Sequence, residues 1–501
     1  MNIKSIVFIL YCLLGYSGNI YAQYFSKLYT QGHPTMLFGS IKVVEDKLYV
    51  TGVTNTIRDP YYQKAVFSKL NLDGSVVFLA SLIDSNSNNY DIFLNSLKRA
   101  TDGNFIATGN EADSIQRAFI MKVDTTGNIL LWREYTDSGN LIFQGDDITE
   151  VADSGYLIAI NIDINHTSNV RIIRIDLQGN IIAQHDYFKG LVAWPQVIKP
   201  MFNGHYMVGA WTGPQTGNTP YISRSWLIEI DSMGNEIRDW LDTEHSNYFP
   251  NDMQQTTDSG WIIVRQHIAY DTFNFQAYNG SILKLDKDFN KQWEIDTGII
   301  DINTNIKAVK ILSDGNYICV GAGAPIGVVG DSSNIDGWLL KVSSTGHVIW
   351  QRFYEPDTGL EAVNVLSSVE VLSDGGFVAC GQKEGSQYTP YQQGWIIRTD
   401  SMGCLLDYCG TVTEASEVTD DKLSAALFPN PSKNSFSIKL SQPPVADMVL
   451  SVYDITGRLM LHTALTQQTT TIQNQLTAGM YLWQVTNNNN TLNAGKLVIE
   501  N

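Results

Sequence analysis

Asp102-Gly103-Asn104-Phe105-Ile106-Ala107-Thr108-Gly109 is a tight turn followed by an apolar strand that ends in glycine, and the chain repeats it. Copies stand at Ser154-Gly155-Tyr156, Asn203-Gly204-His205-Tyr206, Ser259-Gly260-Trp261, Asp314-Gly315-Asn316-Tyr317 and Asp374-Gly375-Gly376-Phe377. A degenerate first copy is Asp46-Lys47-Leu48-Tyr49-Val50-Thr51-Gly52. A second half-motif is an apolar strand, a glycine turn and a strand that often carries tryptophan, as in Phe119-Ile120-Met121-Lys122-Val123 with Gly127 and Trp132. Its turn glycines are Gly74, Gly127, Gly179, Gly234, Gly346 and Gly403, with Asp288-Phe289-Asn290 at the turn of the remaining copy. Asp side chains bond to nearby backbone and glycine accepts positive φ, so these residues shape turns.

The units recur roughly every 50 to 60 residues, the range of propeller repeats. Each holds four short runs rich in Val, Ile, Phe, Tyr and Trp; in the second unit these are 93–100, 104–109, 118–124 and 129–135. Such runs between glycine turns read as antiparallel hairpins. The chain therefore resembles an all-β, seven-bladed β-propeller at 23–410, with six or eight blades still open because the first copy is degenerate. Segment 24–30 resembles a fourth strand and is expected to pair with the last unit, which would remove exposed sheet edges.

Composition narrows the partners. The 501 residues hold 33 Lys+Arg against 51 Asp+Glu, a net charge of −18, so no basic surface for nucleic acid is expected. Aromatic residues at 11% argue against disorder.

In a propeller the first-to-second and third-to-fourth turns share one face, and these are short here. The other face receives the long connections 55–64, 212–224, 267–280, 324–337 and 382–394. They carry Tyr61, Tyr62, Tyr221, Tyr270, Phe273, Phe275, Tyr278, Tyr388 and Tyr391. Aromatic rings on loops over a rigid scaffold stack on sugars or anchor peptides, or else they pack the loops themselves; both readings stay open.

No H-E-x-x-H, G-x-S-x-G or P-loop motif occurs. Asp286-Lys287-Asp288-Phe289-Asn290 hints at a calcium loop but has Lys291 and Thr297 where such a loop needs glycine and a bidentate Glu, so no metal is expected there. No cofactor is implied: the quinoprotein-like spacing of Lys, Asp, Gly and Trp comes without adjacent cysteines, and the sialidase box is missing. Asp146, Asp147, Asp252 and Glu361 are expected in inter-unit connections, as a solvated rim or as a carboxylate pair for glycoside chemistry.

After a polar linker at 411–422 the composition changes. Residues 1–22 and 423–501 each carry +1 of the total, so 23–422 carry −20. The tail reads as a small β-sandwich with strands near 436–440, 448–454, 459–465, 480–486 and 495–499. Phe428-Pro429-Asn430-Pro431, Val452-Tyr453-Asp454-Ile455-Thr456-Gly457-Arg458, Leu476-Thr477-Ala478-Gly479-Met480-Tyr481 and Lys496-Leu497-Val498-Ile499 follow in order. In these landmarks 423–501 resembles the type A C-terminal sorting domain of the type IX secretion system of Bacteroidota; the ending Glu500-Asn501 departs from the common basic one. The resemblance implies that Pro429, Asn430, Pro431, Gly457, Arg458, Gly479, Tyr481 and Lys496 form the sorting motif. It implies passage through the type IX secretion machinery to the outer surface or medium, cleavage in the linker, and release or attachment to surface lipopolysaccharide.

The other end agrees. Lys4, the apolar run 6–14 and Ile20-Tyr21-Ala22 read as a signal peptide at 1–22, too short to span a membrane well, and no later stretch forms a transmembrane segment. In that oxidising compartment Cys404 and Cys409 read as a disulfide or as two thiols, whereas Cys319 and Cys380 read as core residues. The sequence thus favours an exported surface protein that binds glycan or protein without catalysis. A polysaccharide hydrolase or lyase with carboxylates near the channel is the alternative.

Overall fold

The structure, a computed structural model, describes residues 24–500 except 31–34, 56–62, 83–90, 113–115, 137–142, 153–154, 165–166, 191, 214–222, 271–275, 298–303, 324–334, 357–362, 385–391, 406–424, 434, 445–447, 455–457, 474–475 and 488–489. The chain forms two compact units, Met1–Cys409 and Gly410–Asn501. All regular elements among the described residues are strands. The expected signal peptide and linker lie outside the described residues.

Among the described residues the first unit contains seven four-stranded antiparallel sheets of propeller type. Six are built from consecutive strands, over 36–82, 91–135, 143–187, 192–241, 248–296 and 305–354. The seventh combines Asn364–Val371, Phe377–Lys383 and Gln393–Thr399 with Phe25–Tyr29 from the opposite end of the unit. That strand pairs antiparallel from Phe25↔Arg398 to Tyr29↔Gly394, the pairing expected for 24–30.

Turn chemistry follows the repeated residues. Asp124 Oδ1 accepts the backbone N–H groups of Thr126 and Asn128, while Asn128 Nδ2 donates to Asp124 Oδ2 at 2.9 Å. Asp176, Asp231 and Asp286 hold their turns in the same way. The Asp286 turn, the hinted calcium loop, thus spends its carboxylate on its own backbone. Phe289 there has φ 65°, in the left-handed region that glycine occupies in the sister turns.

Packing runs between neighbouring sheets. The second strand of each sheet is covered on both faces, so Phe377–Lys383 reads as nearly continuous burial rather than alternation. The core between the seventh and first sheets joins Phe25, Tyr29, Phe38 and Ile41 to Val378, Cys380 and Ile396. Comparable clusters fill the spaces between the other consecutive sheets. Cys319 and Cys380 are fully buried free thiols in these cores, and burial pushes both up in pKa. Cys404 is buried, while Cys409, its expected disulfide partner, lies outside the described residues.

Every sheet's first strand carries a β-bulge at the same place, before Ser40, Ser96, Asp147, Val197, Asp252, Ala308 and Ser368. A bulge inserts one extra residue and re-aims its side chain. The seven inserted residues are Gly39, Asn95, Asp146, Gln196, Asn251, Lys307 and Ser367.

The second unit has two sheets. One holds Ala425–Phe428, Ser435–Leu440 and Thr469–Gln473; the other holds Met448–Asp454, Leu459–Ala464, Gly479–Asn487 and Asn490–Ile499. Phe436 and Ile438 from one sheet meet Leu450, Val452, Trp483 and Leu497 from the other in a single core. The strands at 425–428 and 469–473 are additional to those expected; the second alternates polar and half-buried residues and so carries little apolar signal.

Candidate functional site

The seven bulge residues line one cavity of about 200 Å³. Each first strand is the edge of its sheet, so its outward backbone groups need partners. At three of the joints the residue after the bulge supplies them to the next sheet. Asp147 Oδ2 accepts the N–H of Ile198 at 2.9 Å, and Asp252 Oδ2 accepts that of Val309 at 3.1 Å. Ser368 Oγ accepts the N–H of Ile41 at 3.4 Å, which repeats the joint between the seventh and first sheets. Asn95 and Asn251 donate to the carbonyls of Gly145 and Ile306 at 2.9 and 2.6 Å.

Two residues farther along each strand comes a second ring of polar side chains. It holds Lys42, Lys98, Thr149, Lys199, Gln254, Lys310 and Glu370. Lys98 Nζ lies 3.0 Å from Asp147 and Lys199 Nζ 2.7 Å from Asp252. Glu370 is shared by Lys42 at 2.5 Å and Lys310 at 3.0 Å. Burial pushes Lys98 down to about 8, with Asp147 pulling the other way. Burial opposes the charge on Asp252 and Glu370 too, but the neighbouring lysines outweigh it and hold both carboxyls below their usual range.

Asp146 behaves differently. Burial, with Asp147 beside it, raises its carboxyl well above the usual range. Its Oδ1 accepts from Trp194 Nε1 and Gln144 Nε2, both at 3.1 Å, while its buried Oδ2 has no partner. Trp194 in turn lies nearly parallel to Trp211, with ring centroids 6.3 Å apart. Trp211 meets Phe249 edge-on at 5.2 Å. All three rings are half-buried; Trp211 sits at the strand end from which the long connection 212–224 leaves, and Trp194 and Phe249 sit near the starts of first strands.

These positions correct the sequence reading. Asp146, Asp147 and Asp252 belong to first strands rather than to connections, lysines pair with Asp147 and Asp252, and five lysines line the cavity, so the expected acidic rim is a mixed and mainly cationic lining. Glu361 lies outside the described residues. Of the aromatic candidates, Tyr61, Tyr62, Tyr221, Phe273, Phe275, Tyr388 and Tyr391 also lie outside them. Tyr270 and Tyr278 are not in a long loop: their backbones are strand, paired as Tyr270↔Gln276 and Ile268↔Tyr278. β-branched and aromatic residues there extend the hairpin beyond its expected end. The lysine ring escaped notice although it is written in the sequence, as a lysine in four of the seven copies at one fixed distance before the first turn.

Residues 426–500 match the secretion system C-terminal sorting domain family, Por_Secre_tail. Curated protein sequences give no match to the chain. Among solved structures the chain is similar to PorZ, a surface component of the type-IX secretion system of Porphyromonas gingivalis, at 10% identity and TM-score 0.32, over 91% of this chain and 69% of that one. It is similar to the polysaccharide lyase Uly1 at 10% identity and TM-score 0.44, over 74% and 91%. It is similar to an alpha-L-arabinanase of Penicillium chrysogenum at 10% identity and TM-score 0.39, over 75% and 97%. Likenesses this loose do not bear on activity. The C-terminal unit is a sorting domain, which marks the chain for export by type IX secretion to the cell surface or outside. Among the described residues no helix is long and apolar enough to cross a membrane.

Proposed function

We propose that the exported chain is a binding protein whose seven sheets are the blades of one closed propeller, and that it holds a glycan at the mouth of the central cavity. The observation that carries this reading is the aromatic group Trp194, Trp211 and Phe249, half-buried and joined through Trp194 to Asp146, which lines the cavity. Flat rings flanked by a polar group suit the apolar face and hydroxyls of a sugar. Closure of the ring is supported by the single cavity lined from all seven first strands and by the repeated joint at Ile41 and Ser368. Cleavage in the linker at 411–422 and attachment to surface lipopolysaccharide are part of the same proposal.

A glycan array with the secreted protein tests it. Binding that Trp211→Ala reduces at least tenfold, without turnover, is the expected result. An array with no binding, or binding indifferent to Trp211→Ala, overturns it.

One observation favours a second reading, a polysaccharide hydrolase or lyase. Burial raises the Asp146 carboxyl well above its usual range, the direction a general acid needs. Its potential partners are committed elsewhere: Asp147 and Asp252 each bond a lysine and a neighbouring backbone N–H. Turnover of a polysaccharide that Asp146→Ala abolishes would establish the enzyme reading over the binding one.

A further inference from the structure

The chain is strongly acidic, yet its central cavity is not. Five lysines line it: Lys42, Lys98, Lys199, Lys307 and Lys310. Three carboxylates pair with four of them, namely Asp147, Asp252 and Glu370. Lys307 is the exception. It is the bulge residue of the sixth sheet, half-buried, and no acid among the described residues pairs with it. Burial lowers its pKa, as expected for an ammonium without a counter-charge.

The same ring of bulge residues holds Asp146. Burial raises its carboxyl well above the usual range, and its Oδ2 is buried without a hydrogen-bond partner. Ser367 adds a hydroxyl to this ring. An ammonium without a paired acid, in a cavity where lysines outnumber carboxylates, calls for an oxyanion. At about 200 Å³ the space admits a single sugar-sized group and not a polymer running through. The aromatic group beside Asp146 would hold the adjoining sugar.

We propose that the central cavity binds the oxyanion of an acidic sugar, the carboxylate of a uronate or a sulfate ester, with Lys307 as its ion partner. This rests on the glycan-binding reading above and adds its charge class. The excess of lysine over paired carboxylate draws the anion in.

Calorimetric titration of the secreted protein tests this with four probes: galacturonate oligosaccharides, sulfated galactose oligosaccharides, neutral galactose oligosaccharides and inorganic sulfate. One of the two acidic sugars should bind at least tenfold tighter than the neutral one, and salt should weaken it; which one it is identifies the anion. Lys307→Met should remove that preference and leave neutral-sugar binding unchanged. Thermal melting of Lys307→Met should show a folded protein at least as stable as the parent, because an unpaired buried charge is gone. Neutral-sugar binding through Trp211 with no acidic preference sinks this inference and leaves the glycan reading standing. A preference untouched by Lys307→Met also sinks it, as does inorganic sulfate binding as tightly as the sulfated sugar. Failure of every sugar to bind sinks both.

Discussion

The hydroxyl of Tyr29 donates to the carbonyl of Gly74 at 2.8 Å, tying the outermost strand of the seventh sheet to the outer hairpin of the first. Tyr135 and Gly179 make the same bond at 2.9 Å between the second and third sheets, and Tyr354 and Gly403 make it at 2.6 Å between the sixth and seventh. The joint between the two ends of the repeat unit is therefore built like its internal joints. Burial raises the pKa of Tyr29, which stays a phenol and a donor across the physiological range.

Removing only that hydroxyl isolates the bond. Tyr29→Phe should cost about 1 kcal/mol, the usual net worth of such a bond, and Tyr135→Phe should cost about as much. Gly74→Ala should cost more than either. Its φ of 75° is strained for alanine, and the added Cβ would lie 2.7 Å from the Phe25 ring. Urea unfolding measures all three. A silent Tyr29→Phe beside a destabilising Tyr135→Phe would mean that the seam does not bear load.

Arg265 is a second joint, between the fourth and fifth sheets. It is fully buried and donates to Asp242 at 2.7 Å, to Ser281 at 3.1 Å and to Glu294. Its guanidinium also lies over the Tyr248 ring at 4.3 Å. Arg265→Met leaves two carboxylates without their main partner and should cost about 3–5 kcal/mol. Arg265→Lys should recover part of that, since an ammonium lacks the planar fork that reaches both acids. Chemical denaturation of the two variants checks the order; equal stability of Met and Lys variants would refute it.

Most of the architecture was legible because turns repeat. Asp102-Gly103 and its copies mark every sheet, and 24–30 could be assigned to the seventh sheet from its likeness to 350–354. The site was less legible. A bulge leaves no composition signature, so Asp146 and Lys307 could not be aimed from sequence. Trp194 and Trp211 sit inside strands, where an aromatic residue ordinarily reads as core. The tyrosine joints had a signal that went unused, a Tyr closing the fourth strand at Tyr29, Tyr135, Tyr187 and Tyr354.

Two buried groups should make stability depend on pH in opposite ways. Lys98 has a folded pKa of about 8, below its ordinary 10.5. Between those values the unfolded chain binds more protons, so stability from this group rises with pH. The unfolding free energy of the parent should therefore gain on that of Lys98→Met between pH 8 and 10. Asp146 has the reverse sign: its folded pKa is raised, so its contribution falls as pH climbs from the ordinary carboxylate range toward the folded value. Asp146→Asn imitates the protonated acid. It should match or exceed the parent in stability at pH 7, and lose that advantage at pH 3. Parallel pH profiles for parent and variant would contradict the assignment in either case.

Asn430 links the first and last landmarks of the sorting domain. Its Nδ2 donates to the carbonyl of Lys496, and its Oδ1 accepts the N–H of Val498, both at 2.8 Å. Between them, Asp454 accepts from the backbone and the guanidinium of Arg458, each at 3.1 Å, and Tyr481 donates to the Thr477 carbonyl at 2.8 Å. The landmarks thus hold the domain's own chain in place. Deleting 423–501 should leave the protein in the periplasm, as immunoblots of cell fractions would read out. Asn430→Ala loses both bonds, worth about 1 kcal/mol each, and should lower the secreted fraction without abolishing it. Asn430→Asp keeps the acceptor and loses the donor, so it should fall between the parent and Asn430→Ala. Normal secretion of the deletion would refute the domain's role, whereas normal secretion of Asn430→Ala alone would refute only the weight given to this link.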